Sequence, residues 1–190
     1  MRAGALVVAG FVGCGLMAVA GCSSTPTPAP PARLSPPIGD ITVDLSKSVD
    51  APCGLVGPDQ LGQLSITAPG RLNHTSTGLA CTWVPDGVTS PSYQASVDMT
   101  SGGVEALYHR RSQFTVFEPT AIHGYPSVHL GNDVTAEQHG HCTVETGVAD
   151  PTLLIVSVVI APGTADYDDP CSDADRFAGY IIGYQGARSP

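Results

Sequence analysis

The chain has 190 residues, with 8 Lys plus Arg against 17 Asp plus Glu, a formal charge of −9, and 42% hydrophobic residues. That length suits a single domain with a core of its own. The acidic balance excludes the basic surface that a nucleic-acid partner or electrostatic adhesion to anionic lipid would require, so no nucleic acid is expected.

The first element is an export signal. Met1-Arg2, an uncharged run from Ala3 to Ala20, and the close Val19-Ala20-Gly21-Cys22 form the pattern of a bacterial lipoprotein signal peptide over residues 1–21. Small side chains admit the peptidase, and the Cys22 thiol can carry a diacylglyceryl thioether, so Cys22 is the expected lipidation site. A plain membrane anchor is disfavoured: the run is short against the roughly 20 residues a span needs, and Ala3 to Ala20 holds four glycines. Cys14 is a weaker acceptor, since Phe11 stands where Leu or Val is usual and little apolar chain precedes it.

Taking 21 residues from 190 leaves a mature chain of 169, and the loss of Arg2 moves its charge to −10. Attachment to the cell membrane would then rest on acyl chains such as palmitate, two or more of which hold a protein stably. Residues 22–49 read as the lipidated cysteine followed by a flexible linker. Ser24 to Pro37 is rich in Pro, Thr and Ala with one charge, Arg33. It should be disordered, with polyproline character, and span roughly 40 Å at about 3.1 Å per residue. Thr25 and Thr27 are possible O-glycosylation sites on composition.

Residues 50–187 read as one globular α+β domain. A short helix is expected from Pro52 to Leu64, interrupted at Gly57-Pro58, followed by strands at Ala80–Val84 and Tyr93–Thr100. In the second strand Ala95, Val97 and Met99 alternate with Gln94, Ser96, Asp98 and Thr100. A second helix runs from Ser101 through Phe114, with Val104, Leu107, Tyr108 and Phe114 inward and Glu105 in its first turn. Three strands follow, near Thr120–Leu130, Gly140–Val148 and Thr152–Ala161. The last is the most apolar, as a central strand should be, and Asp150-Pro151 turns the final hairpin. Asp169-Pro170 opens a terminal helix in which Phe177, Tyr180, Ile181 and Tyr184 recur at i, i+3, i+4 and i+7. The sum is an antiparallel sheet of about five strands packed by two to three helices on one side.

Four cysteines remain in the mature domain, and an exported chain with an even number reads as disulfide-bonded. Three pairings are possible in principle. The separations of 28 for Cys53 and Cys81 and 29 for Cys142 and Cys171, with a proline before Cys53 and Cys171, favour two sequential pairs joining helix starts to strands. A zinc site is the competing reading; it lacks any C-x-x-C pair.

The lipobox cysteine, the Thr/Ser/Pro tether, Pro52-Cys53-Gly54-Leu55-Val56, Cys81-Thr82-Trp83, Cys142 and Pro170-Cys171 together resemble functionally uncharacterised lipoproteins of mycobacteria and related actinobacteria over most of residues 50–185. The element order is also similar to small lipoprotein domains of the Mog1/PsbP type. That likeness implies a binding or assembly module and concerns the fold alone.

Several groups could carry chemistry. His139 and His141 at i, i+2 would share one strand face where a metal could take them, with Glu137 close by and His123 or His129 joining from the preceding strand; an exposed strand face carries such a pair with no metal. The acids from Asp166 to Asp175 offer oxygens without EF-hand spacing and suit helix capping. His109-Arg110-Arg111 is the one basic cluster. Trp83, two residues from Cys81, should cover the disulfide in the core, with ligand stacking as the rival role. No catalytic motif occurs, so no catalytic residue, cofactor or ligand-binding residue is assigned.

The function expected is a membrane-anchored cell-envelope lipoprotein on the extracytoplasmic face, acting as a non-enzymatic binding or assembly module. Its partner would be an envelope protein or a small apolar or glycan-like ligand. The alternatives are an envelope hydrolase or metal-binding protein with an unconventional site, and an accessory subunit of a signalling or transport system. A binding module predicts a groove without converging titratable groups; an enzyme predicts histidines gathered with acids in one cleft.

Overall fold

The computed structural model describes residues 32–85, 91–164 and 166–189. Three helices, α1 (Pro58–Gln63), α2 (Gly103–His109) and α3 (Pro170–Gly186), accompany seven strands: β1 (Arg71–Thr75), β2 (Gly78–Trp83), β3 (Ser92–Asp98), β4 (Val116–Ile122), β5 (Tyr125–Gly131), β6 (His141–Ala149) and β7 (Thr152–Val159). The strands form one antiparallel sheet in the order β1-β2-β3-β7-β6-β5-β4, so β7, the most apolar, lies at its centre.

The class is α+β as expected, with seven strands rather than about five. The expected strand at Thr120–Leu130 is two strands, because His123 and Gly124 both take left-handed backbone, at φ 50° and 84°, and turn the chain between Ile122 and Tyr125. β1 is the other addition. It is an edge strand of mostly exposed side chains, held by the register Arg71↔Thr82 to Thr75↔Gly78.

Helices cover both faces rather than one, because strand alternation exposes apolar side chains on both. α3 lays Ala174, Phe177, Ala178, Ile181 and Ile182 against Tyr93, Ala95, Val144, Val156 and Val158. On the opposite face Val104, Leu107 and Tyr108 of α2 pack on Val128 and Leu153. α3 begins where expected: Pro170 occupies its first turn and the Asp169 carboxylate accepts the Ser172 N–H at 3.3 Å. The expected first and second helices are shorter than read, the first split into a 3-10 turn at Pro52–Gly54 and α1, the second ending at His109.

Both sequential disulfides are present, Cys53–Cys81 and Cys142–Cys171. Trp83 is buried in the same core as Cys81, with its ring 5.5 Å from Phe177 in an edge-on contact. Gly70 passes so close to this core that a Cβ there would stand 2.3 Å from Cys81 Sγ and 2.6 Å from Trp83 Nε1.

The linker read over residues 22–49 ends much earlier than expected. From Ala32 onward the chain belongs to the folded unit. Glu105 accepts the N–H groups of Leu34 and Ser35 at 2.9 and 3.0 Å and the Ser35 hydroxyl at 2.7 Å, and these donors hold its carboxyl down to about 2. Arg33 meets Asp150 at 3.3 Å, and Val43 and Leu45 are buried in the α3-side core. Polar composition concealed this strap because its partners lie 70 or more residues away. The signal peptide and Cys22 fall outside the described residues.

Candidate functional site

Strand pairing and one loop build a cleft at the β4–β5–β6 end of the sheet. Cross-strand pairing sets Glu118 of β4 beside His129 of β5. The chain then leaves β5 through Asn132–Ala136, where Asp133 accepts the Thr135 N–H and hydroxyl, each at 2.8 Å. A 3-10 turn, Glu137–His139, closes on Gly140 at φ 72°. A Cβ there would stand 2.4 Å from the Ile160 carbonyl, so only glycine admits this return into β6. The enclosed volume is about 260 Å³, lined by acids Glu118, Asp133 and Glu137, imidazoles His129 and His141, and Cys142.

α3 holds two of the lining residues, His129 and Cys142, from behind. A His129 Nε2 to Asp175 Oδ1 hydrogen bond of 2.7 Å ties β5 to the second turn of α3. That bond raises the His129 pKa; burial opposes it, and the charges of Asp175, Glu118 and Glu137 add to the rise. The imidazolium is thus favoured within an acidic surround. Cys171, in the first turn of α3, joins β6 through the disulfide, and its Sγ lies 3.3 Å from Glu137 Oε1. A disulfide sulfur carries no proton, so that contact is an apposition and not a hydrogen bond.

His123 joins no metal cluster: it sits in the β4–β5 turn against Gly179. His139 and His141, weak metal candidates expected on one strand face, do not share a strand, because Gly140 at φ 72° turns the chain between them. His139 lies on the 3-10 turn with Nδ1 2.8 Å from the Thr135 carbonyl, while His141 starts β6. Among the described residues, His129, Cys142 and Cys171 are the one group of three potential ligands with donor atoms within 4.8 Å of one another.

The acids of Asp166–Asp175 disperse to separate tasks: Asp169 caps α3, Asp175 holds His129, and Asp173 is buried beneath Tyr93 and Arg176. Burial, then the Asp173 charge, pushes the Tyr93 hydroxyl up to about 12, and burial likewise raises Asp173. The basic cluster is equally divided. His109 contacts Glu105 at 3.1 Å, Arg110 Nε donates to the Ala106 carbonyl at 3.3 Å, and Arg111 stands over the Phe117 ring. Sequence reasoning passed over Glu118 and Asp175 as partners of His129. The signal for Glu118 lay in a hairpin that was read as one strand.

The site's one lining hydroxyl, Thr143, is bonded to Ser157 at 2.9 Å, and its sulfur is held in a disulfide. Acid–base groups are therefore gathered without a free hydroxyl or thiol in the lining. These features define an α+β domain, braced by two disulfides, with an acidic histidine cleft at the start of its long helix. The chain belongs to a family described as protein of unknown function, DUF3558, whose match spans residues 17–184. No curated protein matches it. A crystal structure of PA94 from Pseudomonas aeruginosa, also a protein of unknown function, is similar at 15% identity and a TM-score of 0.25, covering 55% of this chain and 91% of that one. A score that low supports no argument about fold or role.

Proposed function

We propose that this protein is an actinobacterial-type lipoprotein, anchored through Cys22 to the extracytoplasmic face of the cell membrane, that works as a binding module through the His129 cleft. The gathering of His129 and His141 with Glu118, Asp133 and Glu137 is the arrangement expected of the hydrolase or metal-binding alternative; what favours binding over hydrolysis is that the lining offers no free hydroxyl or thiol, Thr143 being bonded to Ser157 and Cys142 to Cys171. Such a cleft suits a cationic or hydrogen-bond-donating group on a small ligand or a partner protein. Two disulfides support residence in an oxidising compartment. Arg33 and Ser35 fasten the chain at the β6–β7 hairpin end, whereas the cleft opens at the opposite end of β6.

Two measurements test this. Mass spectrometry of the native product should find Cys22 amino-terminal and acylated, and an unmodified, uncleaved terminus refutes the anchor. Crosslinking in native membranes should recover a ligand or partner with the wild-type chain and lose it with Glu118→Gln/Glu137→Gln; equal recovery refutes the cleft.

A further inference from the structure

The two disulfides differ in what surrounds them. Cys53–Cys81 joins a half-buried Cys53 to a fully buried Cys81 that lies against Trp83 and Gly70 in the apolar core, with no titratable donor among those contacts. Cys142–Cys171 has a ring nitrogen of His129 within 4.8 Å of both sulfurs, Glu137 Oε1 at 3.3 Å from Cys171, and the cleft opening on Cys142. Two sulfurs, an imidazole and a carboxylate are the donors that thiophilic divalent metals take, with metal–sulfur distances of about 2.3 Å. His129 is also held by the Asp175 carboxylate, the outer-shell partner that orients a ligating imidazole.

We propose that Cys142, Cys171 and His129 form a redox-gated site for a thiophilic divalent metal such as Zn²⁺, with Glu137, which touches Cys171 but lies outside that three-residue cluster, moving in as fourth ligand. In the oxidised protein the two sulfurs bond each other and the site is shut. An external dithiol opens it: the S–S bond accepts two electrons and two protons, and the dithiol becomes a disulfide. Zn²⁺ then displaces to solvent the two thiol protons and one proton of the His129 imidazolium, and binds two thiolates and neutral His129. Cys171 lies in the first turn of the 17-residue α3, where the helix N-terminus favours its thiolate. The proposal names a metal for the cleft of the binding reading, but does not depend on the lipid anchor.

The test uses the mature chain carrying Cys22→Ala, which removes the competing fifth thiol and the anchor together. Reduction is by a water-soluble phosphine, which takes oxygen from water as the disulfide gains its protons and does not compete strongly for metal. The oxidised chain should retain no Zn²⁺ after desalting and the reduced chain one equivalent. Co²⁺ should give a thiolate charge-transfer band only after reduction. His129→Ala should weaken Zn²⁺ binding about tenfold or more, while Cys53→Ser/Cys81→Ser should leave it unchanged. If reduction loosens the fold, Zn²⁺ should restore the near-ultraviolet circular dichroism. No zinc on the reduced chain, equal zinc on the oxidised chain, indifference to His129→Ala, or failure of Zn²⁺ to restore a loosened fold would each overturn the proposal. A partner recovered by crosslinking without zinc uptake would sink the metal site and leave the binding reading standing.

Discussion

The two faces of the sheet are built on opposite principles. The α3 face is apolar from β2 to β6: Trp83, Tyr93, Val144, Val156, Val158 and Phe177 form one continuous buried cluster. The other face is only partly covered by the seven-residue α2, and beyond the helix it is polar. There a single register row runs Thr82, Gln94, Ser157 and Thr143 across four strands, with Gln94 Nε2 donating to Thr82 Oγ1 at 3.1 Å and Thr143 bonded to Ser157 at 2.9 Å. Stability should therefore concentrate on the α3 face, while the α2 face carries a polar row and the half-buried Glu145. The candidate cleft lies at the rim of the stable face, where β4, β5, β6 and the chain from Asn132 to Glu137 form its walls.

The most severe break in that comparison should come at Phe177. Its ring is fully buried, touches Tyr93 at 4.8 Å and Trp83 at 5.5 Å, and closes the space between helix and sheet. Phe177→Ala removes those contacts and leaves a cavity, so urea unfolding should show a loss of about 3–5 kcal/mol. A loss under about 1 kcal/mol would mean that the α3 face is not the principal core.

An intermediate effect, with a pH signature, is expected from Glu145 on the other face. Its cross-strand partners are the apolar Val128 and Ile155, between which it is half-buried. Burial pushes its pKa up to about 7; Arg110 pulls it down and the Asp98 charge pushes it further up. Asp98 remains ionised because donors from Ser101 and Thr100 outweigh its own burial. For an acid whose folded pKa is raised, the stabilising contribution is full below its unfolded value, near 4.5, and is lost as pH rises through about 7. Glu145→Gln, which stays neutral, should be more stable than wild type by about 2–3 kcal/mol at pH 8 and no different at pH 4. An equal difference at both pH values would show that packing, not ionisation, sets the cost.

The same contrast governs what could be read from the chain. The face of α3 was legible because Phe177 and Ile181 keep helical spacing, and β7 because Leu153 to Ile160 is nearly all apolar. The disulfide pairs were legible from separation and from the proline preceding Cys53 and Cys171. β1 was not: Leu72 is the only apolar residue in Arg71–Thr75 and is itself exposed, so periodicity had nothing to report. The strap escaped for a different reason, since Glu105 holds Leu34 and Ser35 across some 70 residues. His129 was named with the other histidines, but its site depends on a turn at His123-Gly124 and on Asp175, a residue whose local pattern says only helix start. Long-range register, not composition, assembles the cleft.

The smallest expected effect tests the polar row itself. Gln94 is half-buried in the centre of the row, and its amide nitrogen donates to Thr82, whose own hydroxyl donates to Asn73 at 3.1 Å. Because water can reach these side chains and replace the lost partners, Gln94→Ala should lower stability by about 1 kcal/mol, the net worth of an accessible hydrogen bond rather than that of a buried orphan. The loss should also be shared with Thr82→Val: in a double-mutant cycle the two changes should be less than additive, since both remove the same bond. Full additivity would mean that the row is a set of independently solvated side chains. A loss near that of Phe177→Ala would mean that the row is shielded from water and each lost bond leaves a buried orphan.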